Sequence, residues 1–159
     1  MNHEERFVLY IIRKAAIEDS PLLVPLRLEV LRKANNLPED TPLKDIEKNT
    51  LVYLRENFGS QATFLAFDGN DLLGCGSVSF YKIFPTCDCP GGIKAYIMNM
   101  YTHEIYRKRG IASALLVKLI EEARRFGADI IALETTDMGR PLYAKHGFVS
   151  AKNEMYLDE

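Results

Sequence analysis

Apolar and polar positions change their period several times along the chain, and each change marks the boundary of an element. Residues 7–13, FVLYIIR, are apolar and rich in Val and Ile, which predicts a first strand. The chain then meets EDSP, where Ser20 and Pro21 fit the cap and first position of a helix. Leu22, Leu26 and Val30 recur at helical spacing up to Asn35 and Asn36, with Pro25 restricting how early that helix closes its hydrogen bonds. Thr41 and Pro42 repeat the start signal, and Leu43, Ile46 and Leu54 form the expected inward face of a second helix ending near Phe58 and Gly59.

From Gln61 the period becomes that of a strand. ATFLAFDGNDLLGCGSVSFY predicts two antiparallel strands joined by a turn at Asp68, Gly69, Asn70 and Asp71. PTCDCPGG reads as a loop and AYIMNMYT as the next strand. Ile111, Leu115, Leu119 and Ala123 then make one apolar helical stripe, with Lys118, Glu121, Glu122 and Arg125 expected elsewhere around the helix. Gly127, preceded by Arg124 and Arg125, is its predicted stop. DIIALE has the unbroken apolar core of a strand buried on both faces of a parallel sheet, so strand, helix and strand form a right-handed crossover. PLYAK predicts a short helix stopped by Gly147, followed by one or two closing strands through residues 148–157.

These elements predict an α/β fold of mixed α+β type: a central twisted mixed sheet of six to seven strands, two N-terminal helices, one long helix after the fourth strand and a short C-terminal helix. At 159 residues, with no repeat or linker, the chain suits one domain. Its 20 Lys and Arg against 22 Asp and Glu lack the basic excess of a nucleic-acid footprint, so any bound anion is expected to be small and local. The N-terminus lacks a signal-peptide pattern and no apolar run approaches the ~20 residues of a spanning helix, so the expectation is a cytoplasmic protein without membrane contact. Three cysteines suit free thiols. Cys87 and Cys89 have no second pair at ligand spacing, and His3, His103 and His146 are scattered, so no metal is expected.

One stretch, YRKRGIASALL at residues 106–116, runs against the ordinary rules. The first turn of a helix carries free N–H groups and roughly half a positive charge. Here it is preceded by Arg107, Lys108 and Arg109, with no Ser, Thr, Asp or Asn to cap it. A strand that passes through a glycine turn into a helix points several backbone N–H groups at one place, and added cations make sense there if the partner is an anion such as phosphate. Gly110 lets backbone approach such an anion and Ala112 keeps the next turn small. Simple extension of three basic side chains into solvent is the plainer alternative. Neither GxxxxGK[ST] nor GxGxxG is present.

At these residues the chain resembles the GCN5-related N-acetyltransferase (GNAT) superfamily, whose R/Q-x-x-G-x-G/A signature reads RKRGIA at residues 107–112, after the strand NMYT and the linker HEIYR. Downstream, PLYAKHGF resembles the LY-x-x-x-GF segment of the same family, and the order of elements agrees over nearly the whole chain. The resemblance implies one acyl-CoA N-acyltransferase domain over residues 1–159, with acetyl-CoA as co-substrate. It implies a pantetheine arm between splayed fourth and fifth strands, bonded to the backbone of Met100, Tyr101 and Thr102. The pyrophosphate is then expected on Lys108, Arg109, Gly110, Ile111, Ala112 and Ser113, beside Arg107. Tyr143 becomes the general acid that protonates the departing thiolate; a core aromatic is the simpler reading of it.

For a base the sequence offers Glu134, at the end of IIAL, where crossover sheets place ligands. An ordinary solvated carboxylate is an equal reading, and Glu104 and Asp137 are weaker candidates. The family often has an Asn between the fifth strand and LY; ETTDMGRP has none, and Thr136 or Asp137 is expected in its place. The expected reaction is acetyl transfer to a primary amine by direct attack in a ternary complex, with Cys75, Cys87 and Cys89 as bystander thiols. A non-catalytic acyl-CoA-binding sensor or assembly module is the alternative. The acceptor, a small-molecule or peptide amine, is expected against RKANNLPEDTPLKD, with CDCPGG covering the other side. The resemblance also allows a homodimer without locating an interface.

Overall fold

The computed structural model describes residues 9–151 and 154–157. Five strands form one sheet in chain order: β1 (Ile11–Lys14), β2 (Gln61–Asp68), β3 (Asp71–Lys82), β4 (Ile93–Thr102) and β5 (Ile130–Leu133). The first three junctions are antiparallel, and β5 joins β4 in parallel. Four helices accompany them: α1 (Ser20–Ala34), α2 (Lys44–Asn57), α3 (Ile111–Phe126) and α4 (Arg140–Lys145). None is long and apolar enough to cross a membrane.

Strand alternation builds a core on each face of the sheet. Phe64, Val78, Ala95 and Ile97 face α3 and pack under Ile111, Leu115, Leu119 and Ala123. Leu65 and Cys75 face the other way, beneath Leu23, Leu26 and Val30 of α1 and Leu54 of α2. The stripe of α3 is buried as its spacing predicts, and Gly127 ends the helix in the left-handed conformation at φ 87.

Several expectations are corrected. The sheet has five strands, not six to seven: residues 148–151 and 154–157 form none, and Val149, Met155, Tyr156 and Leu157 are exposed. These side chains pack on no layer, so nothing holds the tail as a strand. The first strand starts at Ile11; Phe7 and Val8 lie outside the described residues. The approach to α1 is organised by Asp19, whose carboxylate accepts from the Ala16 N–H at 2.8 Å and from Arg13 at 2.7 and 2.8 Å, while the Ser20 hydroxyl donates to the Ile17 carbonyl. α2 begins at Lys44, beyond Thr41 and Pro42; Leu22 is exposed because the buried stripe of α1 runs through Leu23 and Val24, and Ile46 is exposed because α2 buries Leu54, nearer its end, and not its first turns. Glu122 is buried, clamped by Lys14 at 2.5 Å and Arg125 at 2.6 Å. These cations let a carboxylate sit under the rim of the sheet.

Two features position the site. Parallel pairing between β4 and β5 stops at Ile97 and Leu133, where β5 ends, so residues 98–102 keep β3 on one side and no described strand on the other. The register of β3 against β4 shifts between Cys75 and Ser77, opposite Asn99, which has φ 57. An extra residue of this kind bends and twists its strand, turning the end of β4 away from β5.

Candidate active site

The free edge of β4 has identifiable donors and acceptors. The His103 N–H donates to the Leu73 carbonyl across the β3–β4 ladder, and alternation then directs the backbone groups of Tyr101 toward β3 and those of Met100 and Thr102 toward the open side. The Thr102 carbonyl accepts from Arg107 Nε at 3.1 Å, and the Thr102 hydroxyl oxygen is buried without a protein partner. A buried, unpartnered hydroxyl beside an open strand edge suits a polar ligand. Gly74 permits β3 to lie so close: a Cβ there would meet the Tyr101 carbonyl oxygen at 2.5 Å.

Arg107 therefore does not reach outward. Its side chain folds back on Thr102 and approaches Glu104 at 3.5 Å, fixing the turn against the end of β4. Lys108 at φ 62 and Gly110 at φ 80 then take left-handed conformations on either side of Arg109. This reversal aims α3 away from the strand, and the first helical bond at its start runs from the Ala114 N–H to the Gly110 carbonyl at 3.0 Å. The N–H groups of Ile111, Ala112 and Ser113 precede that bond and have no partner within the helix, and no side chain caps them. Lys108 and Arg109 remain exposed beside them, with the Arg109 guanidinium 5.8 Å from the Tyr106 ring centre. The turn thus offers three free dipoles and two cations, a fit for a diphosphate.

Tyr143, on α4, packs against the core below α3, with its ring edge-on to Phe148 at 6.0 Å. Burial raises its hydroxyl above the ordinary tyrosine value, which keeps it protonated at neutral pH. Three residues on, His146 Nε2 lies 2.6 Å from the Ser113 hydroxyl, a contact that sequence reasoning missed. Glu134 is exposed just beyond β5; burial first, and then hydrogen bonding and charge from Glu134, push Tyr96 up to about 12. Thr136 closes the turn into α4, its hydroxyl accepting from the Gly139 N–H at 3.3 Å and its carbonyl from Gly139 and Arg140.

On the α1 face, the bulge residue Asn99 accepts from Arg27 Nη1 at 3.1 Å and donates to the Ser77 hydroxyl at 3.4 Å. The Tyr101 hydroxyl donates to Glu29 at 3.1 Å and is pushed up to about 12, by burial first and then by Glu29. Neither Arg27, Glu29 nor Asn99 carries a sequence signal for a site; only Asn99 belongs to a residue type suited to left-handed backbone. Cys75 is fully buried below them, and burial pushes its thiol up to about 12. The CDCPGG loop lies at the far end of β4 from the turn, with Cys89 buried and the Gly91 N–H bonded to Asp129, so it folds onto the start of β5 rather than walling the opening at residues 98–102.

The acetyltransferase (GNAT) family model matches residues 29–148, three-quarters of the chain and all of this site except Arg27. The chain belongs to that family. A glucosamine 6-phosphate N-acetyltransferase of Trypanosoma brucei brucei is 26% identical over 145 residues, covering 86% of this chain and 97% of that protein. A predicted acetyltransferase of Clostridium acetobutylicum, solved with acetyl-CoA, superposes with a TM-score of 0.85 at 30% identity, over 94% of this chain and 96% of that one. A GCN5-related N-acetyltransferase of Ralstonia eutropha JMP134 gives 0.79 at 26% identity, over 94% and 98%. This acetyltransferase therefore has the family's mixed α/β fold, and transfer from acetyl-CoA is that family's general activity.

Proposed function

We propose that this acetyltransferase moves the acetyl group of acetyl-CoA to a primary amine by direct attack in a ternary complex. The observation that carries the reading is the continuity of the free edge of β4 with the uncapped first turn of α3. One feature suits the amides of a pantetheine arm and the next suits a diphosphate, in the order in which coenzyme A presents them. Met100 and Thr102 hold the arm through their open-side backbone groups, and the diphosphate lies on the N–H groups of Ile111, Ala112 and Ser113 beside Lys108 and Arg109. Arg107 and Gly110 shape the turn. Tyr101 extends its side chain to the acceptor face.

In the transfer step the neutral amine forms a C–N bond to the thioester carbonyl carbon, and the C–S bond breaks. The departing thiolate takes the proton of the Tyr143 hydroxyl, which its raised value keeps in place. A thiol near 8.5 and a phenol near 10 are close enough, at roughly these reference values, for the proton to be passed on and returned. Glu134, at the mouth of the splay, takes the proton released by the amine, directly or through water. Cys75 is a poor covalent relay, since its thiolate would be both buried and costly.

The test compares thermal stabilisation by CoA, acetyl-CoA and ATP, and then measures thiol release over an amine panel. Stabilisation by CoA and acetyl-CoA beyond that by ATP, with amine-dependent thiol release, is the expected result. Equal stabilisation by ATP overturns the coenzyme site, and acetyl retained on the protein overturns direct transfer.

A further inference from the structure

The arginines of this acetyltransferase differ in how their charge is answered. Arg13, Arg107, Arg125 and Arg140 each lie within 4.0 Å of a carboxylate oxygen. Arg27 does not, and it shares this with the half-buried Arg32, which bonds the Thr41 carbonyl away from β4; among the described residues Arg27 has no ion pair, and its one side-chain hydrogen bond goes to the neutral Asn99 amide oxygen. A guanidinium carries five donors, so most of its capacity is unused. The side chain is nevertheless half-buried between α1 and β4, and burial pulls it below the ordinary arginine value. Glu29, two residues further along α1, does not answer it, because residues two apart on a helix do not face each other; its carboxylate accepts from the Tyr101 hydroxyl instead.

Holding a cation in a partly desolvated place without a counter-charge is unfavourable unless a partner arrives from elsewhere. The place is informative. Asn99 is the bulge residue at the start of the free edge of β4, next to Met100, so Arg27 is bonded to the strand segment on which the thioester is proposed to lie. It approaches from the α1 side, opposite the face covered by α3.

We propose that the acceptor is an amine that also carries an anionic group, carboxylate or phosphate, and that the Arg27 guanidinium receives that group. Asn99 fixes the guanidinium by accepting one of its hydrogens, leaving the rest of the planar fork for two anionic oxygens. With the anion held there, the amine end of the same molecule is directed toward the free edge of β4. Arg27 is thus a substrate-binding residue that decides specificity, and this assignment rests on the transfer reading above.

The experiment measures kcat/KM for matched acceptors that differ only in the anion: amino acids against their amides, O-phosphoethanolamine against ethanolamine, and glucosamine 6-phosphate against glucosamine. For the wild-type enzyme the anionic member of at least one pair is expected to be tenfold better or more, and the pairs separate carboxylate from phosphate. Arg27→Gln retains a donor for Asn99 but loses the charge. It should raise KM for the preferred anionic acceptor at least tenfold, change KM for its neutral partner less than about twofold, and bring the ratio near one. Arg27→Lys, which keeps the charge, should restore part of the preference, and it decides the matter with the wild type if Arg27→Gln does not fold. A wild-type enzyme that uses neutral acceptors equally well, or a preference that survives in Arg27→Gln, overturns this assignment and leaves the transfer reading intact. CoA binding with no turnover of any amine overturns both.

Discussion

His146 Nε2 and the Ser113 hydroxyl lie 2.6 Å apart, tying the end of the helix that carries Tyr143 to the first turn of α3. Ser113 belongs to the uncapped turn proposed for the diphosphate, so a single contact links the coenzyme grip to the proposed acid. Ser113→Ala and His146→Ala should each weaken CoA binding by roughly three- to tenfold, as expected for about 0.5–1.5 kcal/mol from one hydrogen bond. Isothermal titration with CoA measures this, and an unchanged Kd in both variants would remove the contact from coenzyme binding.

Charge at the turn should matter chiefly for binding. Lys108 and Arg109 are exposed beside free backbone N–H groups, and the charge reversal Lys108→Glu with Arg109→Glu should raise the CoA Kd at least tenfold while slightly raising thermal stability in its absence, since acids suit a helix N-terminus. Wild-type affinity should fall as salt is added, because exposed cations are screened.

Removing the Tyr143 hydroxyl separates binding from chemistry. Tyr143→Phe preserves the ring that packs edge-on to Phe148, so CoA affinity should stay within about twofold while kcat falls at least tenfold. Single-turnover thiol release is the measurement, and equal turnover by the variant would exclude the hydroxyl from the reaction.

The buried Glu122 with its exposed partners Lys14 and Arg125 makes stability depend on acid. Burial opposes the charge on Glu122, but hydrogen bonds from Arg125 and Lys14 outweigh it and hold the carboxyl below its usual range. A depressed folded value contributes stability that is complete above the unfolded value, about 4.3, and is lost as pH falls through the lower folded value. Glu122→Gln should cost roughly 1–2 kcal/mol at pH 7 and less near pH 3. Urea denaturation at the two pH values checks the difference, and a cost that grows with acidity would contradict it.

Gly74 is needed for the closeness of β3 to the bent end of β4. A Cβ at that position would lie 2.5 Å from the Tyr101 carbonyl oxygen and 3.2 Å from the Thr102 Cα, and backbone cannot swing aside as a side-chain tip can. Gly74→Ala should destabilise by roughly 1–3 kcal/mol and lower CoA affinity by displacing the free edge. Chemical denaturation and calorimetric binding on the same sample would expose any disagreement.

Much of this architecture was open to reading from residues alone, because its determinants are local. Helical spacing of Ile111, Leu115, Leu119 and Ala123, the hairpin at Gly69 and Asn70, and the stop at Gly127 each need only a few neighbouring residues to be understood. The uncapped, positive turn was legible for the same reason: cations at an uncapped helix start conflict with the helix dipole inside a single stretch of chain. The closing strands were misjudged because a strand needs a partner edge and a layer to pack on, which no local stretch shows, and Met155, Tyr156 and Leu157 lie exposed instead of packed.

Sequence alone thus determined the order of elements from the first strand to the short helix α4 and the position of the positive turn, all consequences of periodicity and backbone chemistry. Tertiary structure alone decided that β5 ends where β4 bends, that Glu122 is inside, and that Ser113 meets His146 and Arg27 meets Asn99. Those contacts join residues 33, 72 and 108 positions apart. Hydrogen bonding and ion pairing act over a few ångströms of space, and no local pattern records which distant side chain folding will bring within that reach.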